Sequence, residues 1–373
     1  MRFVAAVVAL VSLVHVAIWA LSRDHMAAPD VSGPLASVSY APFADSEHPD
    51  RGHHATAEQI RADLKTIAPY TKAIRTYAST GGVELVPAIA DEFDLKVTVG
   101  AWIDKDENRN AREMRSAVEL AHKNRNVNGL VVGNETIYRG ERTIDQLIKL
   151  IQHAKREVQV PVTTGEIWHV WIEHPELASA VDFIAAHILP YWEGFSEEQT
   201  VDQAILIYYK LRSVFPGKRI VIAEFGWPSA GYNLKNGNPG RMQQAIVVRD
   251  FVSHAEALGI DYNIVEAVDQ PWKVFEGSVG PYWGLLDAAR HPKFAWSGPI
   301  VDPDHWKVAA IAVLTGFLLS LPILALTAVT IPQALLLAGA VHGIGAWIAT
   351  IFAYWNGHYF VPEIGRASCR ERV

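Results

Sequence analysis

The sequence predicts a (β/α)8 barrel, the TIM-barrel class of α/β fold, flanked by one N-terminal and two C-terminal transmembrane helices. Three observations predict it. Strand-like and helix-like stretches alternate eight times over about 260 residues. Phe3 to Leu21 and Val308 to Trp355 hold no Asp, Glu, Lys or Arg, and the second run is long enough for two crossings around Thr330–Gln333. The apolar run Ile220 to Ala223 ends on Glu224 and is broken by Gly226, Pro228 and Gly231, the pattern of a buried strand that delivers a carboxylate to a loop.

In chain order, residues 1–22 read as a membrane anchor behind Arg2, with an apolar core longer than a signal-peptide h-region, and 23–34 as a polar, proline-containing tether. Residues 35–300 form the barrel. Ala36 to Pro42 is its first strand, Thr56 opens a helix with Ile60, Leu64 and Ile67 on one face, and Ala73 to Ala78 is the second strand. Val83 to Phe93 is helical, Lys96 to Trp102 the third strand, Asn108 to Lys123 a helix and Val127 to Val132 the fourth strand. Arg142 to Val158 is helical. Val160 to Thr164 and Val181 to His187 are the fifth and sixth strands, followed by a helix over Glu197 to Phe215, the seventh strand to Glu224, a helix over Pro239 to Leu258 and the eighth strand, Asp261 to Ala267. Residues 307–331 and 333–356 read as membrane helices, and 357–373 as a tail whose RASCRERV end departs from what precedes it. An open doubly wound sheet would want a glycine-rich phosphate turn after an early strand, where this chain has Ala41-Pro42-Phe43.

Composition narrows the function. A net charge of -7 offers no basic stripe for nucleic acid and suits a neutral substrate. The single cysteine, Cys369, leaves an exported barrel without internal disulfides, so it depends on its own core. The histidines have no ordered ligand spacing, so neither a metal nor another cofactor is expected.

Barrel enzymes gather their chemistry at the C-terminal ends of the strands. Those ends carry Tyr40, Arg75, Tyr77, Asn134, Glu135, Tyr191, Trp192, Glu224, Trp227, Glu266, Trp272 and Lys273. Two strand-end glutamates can face each other across one mouth, the arrangement a glycosidic bond needs, and an amide beside one of them can hold a sugar 2-hydroxyl. Single tryptophans, Trp168, Trp171, Trp192 and Trp283 among them, fit rim packing as well as sugar stacking.

VVGNETIYRGE (Val131 to Glu141) and AEFGWPSAG (Ala223 to Gly231) resemble the paired signatures of glycoside hydrolase family 17. SYAPF, IRTYAS, PVTTGE, VDFI, PYW and EAVDQPWK stand in the family's order. The resemblance implies a retaining enzyme acting on β-1,3-linked glucan or laminari-oligosaccharides without a metal. Glu135 takes the position of the acid/base, held protonated until it gives its proton, and Glu224 that of the nucleophile. Tyr40, Arg75, Tyr77 and Asn134 match the cleaving subsite, and Tyr191, Trp192, Trp227, Glu266, Trp272 and Lys273 substrate-binding positions around it. The chain departs from the family where His187, Ile188 and Leu189 replace Asn-x-His, and where Gln270 replaces an acidic residue. Bacterial members joined to membrane helices resemble those linked to polysaccharide synthases. The expectation is a glucanosyltransferase or endoglucanase on the periplasmic side of a bacterial inner membrane, with a membrane glucan synthase as partner. The rival reading is a non-catalytic glucan-binding barrel.

Overall fold

The computed structural model describes residues 2–23, 25–43, 47–326 and 328–358. A first helix, α1 (Arg2–Leu21), leads to β1 (His25–Met26), which pairs antiparallel with β10 (Ile300–Val301) at the other end of the barrel sequence. Between them eight parallel strands close on themselves: β2 (Val38–Ser39), β3 (Ala73–Arg75), β4 (Lys96–Ala101), β5 (Val127–Asn134), β6 (Val162–Ile167), β7 (Ile184–His187), β8 (Ile220–Phe225) and β9 (Asp261–Ile264). Closure is made by Val38 against Ile264. The expected barrel is therefore present, and its strands are near-continuously apolar because helices cover the outside while layered side chains fill the inside.

Local sequence explains the outer ring. Thr56 caps α2 (Ala57–Ile67) by accepting from the Gln59 N–H at 3.2 Å, and the helix buries Ile60, Leu64 and Ile67 as their spacing requires. After the short α3 (Val86–Asp91), Asp106 caps α4 (Glu107–Lys123), and Thr143 with Gln146 forms a capping box on α5 (Ile144–Glu157). Three short helices were not expected: α6 (Trp168–Glu173), α7 (Pro175–Ala180) and α8 (Pro190–Glu193). The last two start on proline, which suits a first helical turn. The ring continues with α9 (Glu197–Val214) and α10 (Arg241–Leu258).

Strand limits differ from expectation in two informative places. The sixth barrel strand starts at Ile184, because Asp182 is turned back so that its carboxylate accepts the Val162 N–H at 2.7 Å. The fifth extends to Ile167, which carries Glu166 within the strand.

After the barrel, α11 (His305–Ala325) and α12 (Ile331–His358) pack against each other and against α1. Val7 and Val8 are buried with Leu324, Ala334 and Ala338, while Leu13, Leu314, Leu318, Leu336 and Trp347 are exposed around the outside. All three helices are long and apolar enough to cross a membrane. Gly339 and Gly343, a G-x-x-x-G spacing in α12, face open space, and the close crossing is made by Gly316 and Gly345, where a Cβ would come within 2.6 Å of the His342 ring and 2.7 Å of the Ala312 carbonyl oxygen. His342 lies among Ser12, Ser320 and the His15 ring, which supplies interhelical hydrogen bonds. The tail 359–373, with Tyr359 and Cys369, lies outside the described residues.

Candidate active site

The seventh apolar run places Glu224 as expected, near the end of β8 and almost buried. Its Oε1 accepts from Arg75 Nη1 at 3.1 Å and lies 3.4 Å from His187 Nε2. Arg75, buried at the end of β3, also donates to the Ala223 carbonyl at 2.9 Å and, through Nη2, to Asn134 Oδ1 at 2.6 Å. One guanidinium thus ties β3, β5 and β8 together. It uses the oxygen of the Asn134 amide and leaves the Nδ2 donor for another partner.

The end of β5 is irregular. Its pairing with β6 shifts between Val131 and Asn134, Gly133 has φ +83°, and Glu135 itself has φ +52°. Gly133 is required there, since a Cβ would sit 2.3 Å from Thr136 Oγ1. A left-handed glutamate is uncommon and costs on the order of 1 kcal/mol, a local strain held by the surrounding structure. The Glu135 N–H donates to the Gly165 carbonyl at 2.7 Å. Glu166 steadies the following turn by accepting from the Ile137 N–H at 2.8 Å, and burial pushes its carboxyl up to about 7.

These features turn the Glu135 carboxylate towards β7, where His187 Nδ1 lies 2.9 Å from its Oε1. One oxygen of Glu135, one of Glu224 and a ring nitrogen of His187 all fall within 4.8 Å of one another. The set has the donor types of a metal site, but Arg75 already places positive charge 3.1 Å from Glu224 and 3.4 Å from His187 Nε2, where a dication would meet strong repulsion. Gly165 makes room for this cluster. A Cβ there would lie 2.7 Å from His187 Nε2 and 2.8 Å from Arg75 Nη2.

Burial raises the pKa of Glu135, but the His187 hydrogen bond and charge, with Arg139 and Arg75, outweigh it, so the carboxyl lies below its ordinary range. These neighbours favour the ionised form of Glu135. Tyr77 has its phenol pushed well up by burial and by the charge of Glu224, and stays a hydrogen-bond donor. On the far side Lys273 donates to Glu266 Oε2 at 2.8 Å. Glu266 Oε1, fully buried, has no hydrogen-bond partner among the described residues.

The BtgE/BtgC glycoside hydrolase domain description matches residues 37–284, the whole barrel from β2 to beyond β9. The chain belongs to this family. It is 24% identical over 305 residues to a probable glucan endo-1,3-beta-glucosidase btgC of Aspergillus flavus, an alignment covering 73% of this chain and 44% of that protein. It is 27% identical over 252 residues to the glucan 1,3-beta-glucosidase of Schizosaccharomyces pombe, covering 62% of this chain and 78% of that one. The chain thus spans less than half the length of the Aspergillus relative. The crystal structure of the glycoside hydrolase family 17 beta-1,3-glucanosyltransferase from Rhizomucor miehei superposes with a TM-score of 0.62 at 25% identity, covering 69% of this chain and 95% of that chain. The resemblance to family 17 is borne out.

Within this family member, the other expected residues separate into three groups. Arg75, Tyr77, Asn134, Glu266 and Lys273 surround the two glutamates, with Arg75 and Lys273 both over the Tyr77 ring at 5.1 and 5.5 Å. Trp192 and Trp272 stay partly exposed at the rim. Tyr40, Tyr191 and Trp227 are corrected from sugar contacts to framework. Tyr40 donates to Asp63 at 3.0 Å, Tyr191 to the Tyr232 carbonyl at 2.8 Å, and Trp227, fully buried, to the Asn238 carbonyl at 3.0 Å. Trp171 and Trp283 are buried as well, Trp283 stacking under Trp192 at 5.7 Å.

The sequence marks His187 as a strand-end residue and a departure from the family pattern but assigns it no partner, because its partners come from other strands. Sequence reasoning missed Glu276, whose carboxyl is pushed up to about 7 by burial despite Lys273. No spacing signal marks Glu276; the 3-10 turn Lys273–Glu276 brings it back to the site.

Proposed function

We propose that this chain is a membrane-attached, retaining β-1,3-glucan-active enzyme in which Glu224 is the nucleophile and Glu135 the acid/base. The observation that carries the reading is the convergence of both carboxylates and His187 within 4.8 Å. A separation that short leaves room for direct attack and excludes the intervening water that inversion needs. The β-1,3-glucan substrate follows from the names of the relatives above.

In the first step a Glu224 oxygen bonds to the anomeric carbon as the glycosidic C–O bond breaks, and the proton of Glu135 passes to the leaving oxygen. The product is a glycosyl ester. In the second step Glu135, now a carboxylate, takes a proton from an incoming hydroxyl whose oxygen displaces Glu224. A sugar hydroxyl gives transfer, and water gives hydrolysis. The partly open rim of Trp192, Trp272 and Trp168 favours a bound sugar acceptor, so transfer is the leading outcome. The barrel sits on the extracytoplasmic side, where a nascent polymer from a membrane glucan synthase would meet it.

The test is to incubate the full chain with laminari-oligosaccharides of one length and read product sizes by mass spectrometry. Products longer than the substrate are expected. Shorter products alone mean hydrolysis, and an unchanged substrate that is nonetheless bound would leave the glucan-binding reading in place of an enzyme.

A further inference from the structure

The path of the two tethers fixes the barrel's orientation. The chain passes from β8 through a loop on the catalytic face into α10, so α10 starts at Arg241 beside the mouth and ends at Leu258 at the opposite face. Arg249, about 12 Å along that helix, is fully buried and holds both tethers. It donates to the Ala28 and Pro29 carbonyls at 2.9 Å each and to Asp30 at 2.7 Å on the N-terminal side, and to the Gly298 carbonyl at 2.9 Å on the C-terminal side. β1 and β10 then pair, Arg23 donates to the Asp302 carbonyl at 3.2 Å, and Asp304, at the N-cap position of α11, meets Arg241 at 3.3 Å. Both tethers therefore run as a strap along α10 towards the catalytic end, and the membrane helices depart there. His305 Nε2 lies 2.8 Å from the Trp19 carbonyl oxygen, which joins α1 and α11 at that departure point.

A second observation agrees with this direction. Three neighbouring loops of the catalytic face carry exposed apolar side chains, Trp192 at 41%, Tyr232 at 41%, and Val274 and Phe275 at 44% and 46%, besides those spread over the outer ring at Leu206, Tyr209, Val214 and Leu258. The Tyr232 N–H donates to Ser278 Oγ at 2.9 Å, which fastens two of these loops together. Trp306, in the first turn of α11, is 65% exposed, a placement typical of the membrane interface.

We propose that the catalytic mouth faces the bilayer, so that the enzyme acts on a glucan displayed at the membrane surface rather than on polymer free in bulk solution. This substrate class rests on the glucan-active reading above; the orientation does not. A rigid strap keeps the mouth near the surface, where a displayed chain has a high effective concentration.

The test uses the full chain in liposomes, with Cys369→Ser and a donor fluorophore on one introduced cysteine, and an acceptor on lipid headgroups. The rim positions are Tyr232→Cys and, independently, Val274→Cys, and the opposite-face position is Lys96→Cys. Because α10 spans 18 residues, the two faces differ in height by about 27 Å. Stronger energy transfer from both rim positions is expected; equal transfer, or stronger transfer from Lys96→Cys, overturns the orientation. In the same liposomes, a lipid-anchored laminari-oligosaccharide should be processed with a kcat/KM at least about tenfold above the free sugar of equal length. Equal values overturn the surface-displayed substrate. If neither sugar is processed while the energy-transfer order holds, the glucan-active reading fails and the orientation stands.

Discussion

The ends of β5 and β8 each present one glutamate to the mouth, and they do so in opposite ways. β8 shifts register against β7 and β9 near its end, but it does so without a left-handed residue, and Glu224 is buried and ion-paired to Arg75. β5 ends in a register shift and two left-handed residues, with Glu135 more open and hydrogen-bonded to His187. A nucleophile needs a fixed position, which burial beside a guanidinium supplies. An acid/base must exchange a proton with two different oxygens, and a strained, partly open turn with a titratable neighbour suits that task. The two surroundings of one residue type thus match the two proposed roles.

The largest test of this contrast is to remove each carboxylate in turn. Glu224→Gln should lower turnover of every glucan substrate on the order of 10⁴-fold or more, because no ester can form. Glu135→Gln should lower turnover of laminari-oligosaccharides by about 10²- to 10⁴-fold. It should leave glycosyl-ester formation nearly intact with a nitrophenyl glycoside, whose leaving group needs no proton. Equal losses on both substrates would remove the distinction between the two glutamates.

A smaller effect is expected from Gly165→Ala, which leaves both glutamates in place but pushes a methyl against His187 and Arg75. Displacement of that kind should cost about 10²-fold in kcat, with a much smaller change in KM. Unaltered kinetics would show that the cluster does not need its close packing.

The smallest effect is expected from His187→Asn, and it is read in the pH profile. The acid/base works in its protonated form in the first step, and His187 with the two arginines holds its pKa down, so activity falls on the alkaline side earlier than it otherwise would. Removing the imidazole should let the pKa of Glu135 rise and move the alkaline limb of the kcat/KM profile upward. The maximum rate should stay within about tenfold. A downward move would mean that His187 does not stabilise the ionised form.

Much of this molecule is legible in the linear chain. The alternation of apolar strands and amphipathic helices, each registering on a period of two or 3.6, marks the barrel, and capping residues such as Thr56 and Thr143 mark helix starts. Glu135 and Glu224 are legible because each closes an apolar run at the same end of the barrel. The buried fate of Trp227 and Tyr191 is not, since an aromatic residue at a strand end looks the same whether it faces a sugar or a neighbouring loop. The short helices around Trp168 and Pro190 escaped for a related reason, as one turn leaves no periodic signal.

The sequence by itself determined the fold class, the three apolar helices and the pair of carboxylates, because these rest on local periodicity, length and the direction of parallel strands. Only the tertiary structure decided what lies between the carboxylates and how the two tethers run along the barrel. Arg75, Asn134, His187 and Glu224 come from four different strands, and Arg249 joins two tethers more than 260 residues apart, between Pro29 and Gly298. Contacts across such separations depend on barrel closure, and no local pattern encodes them.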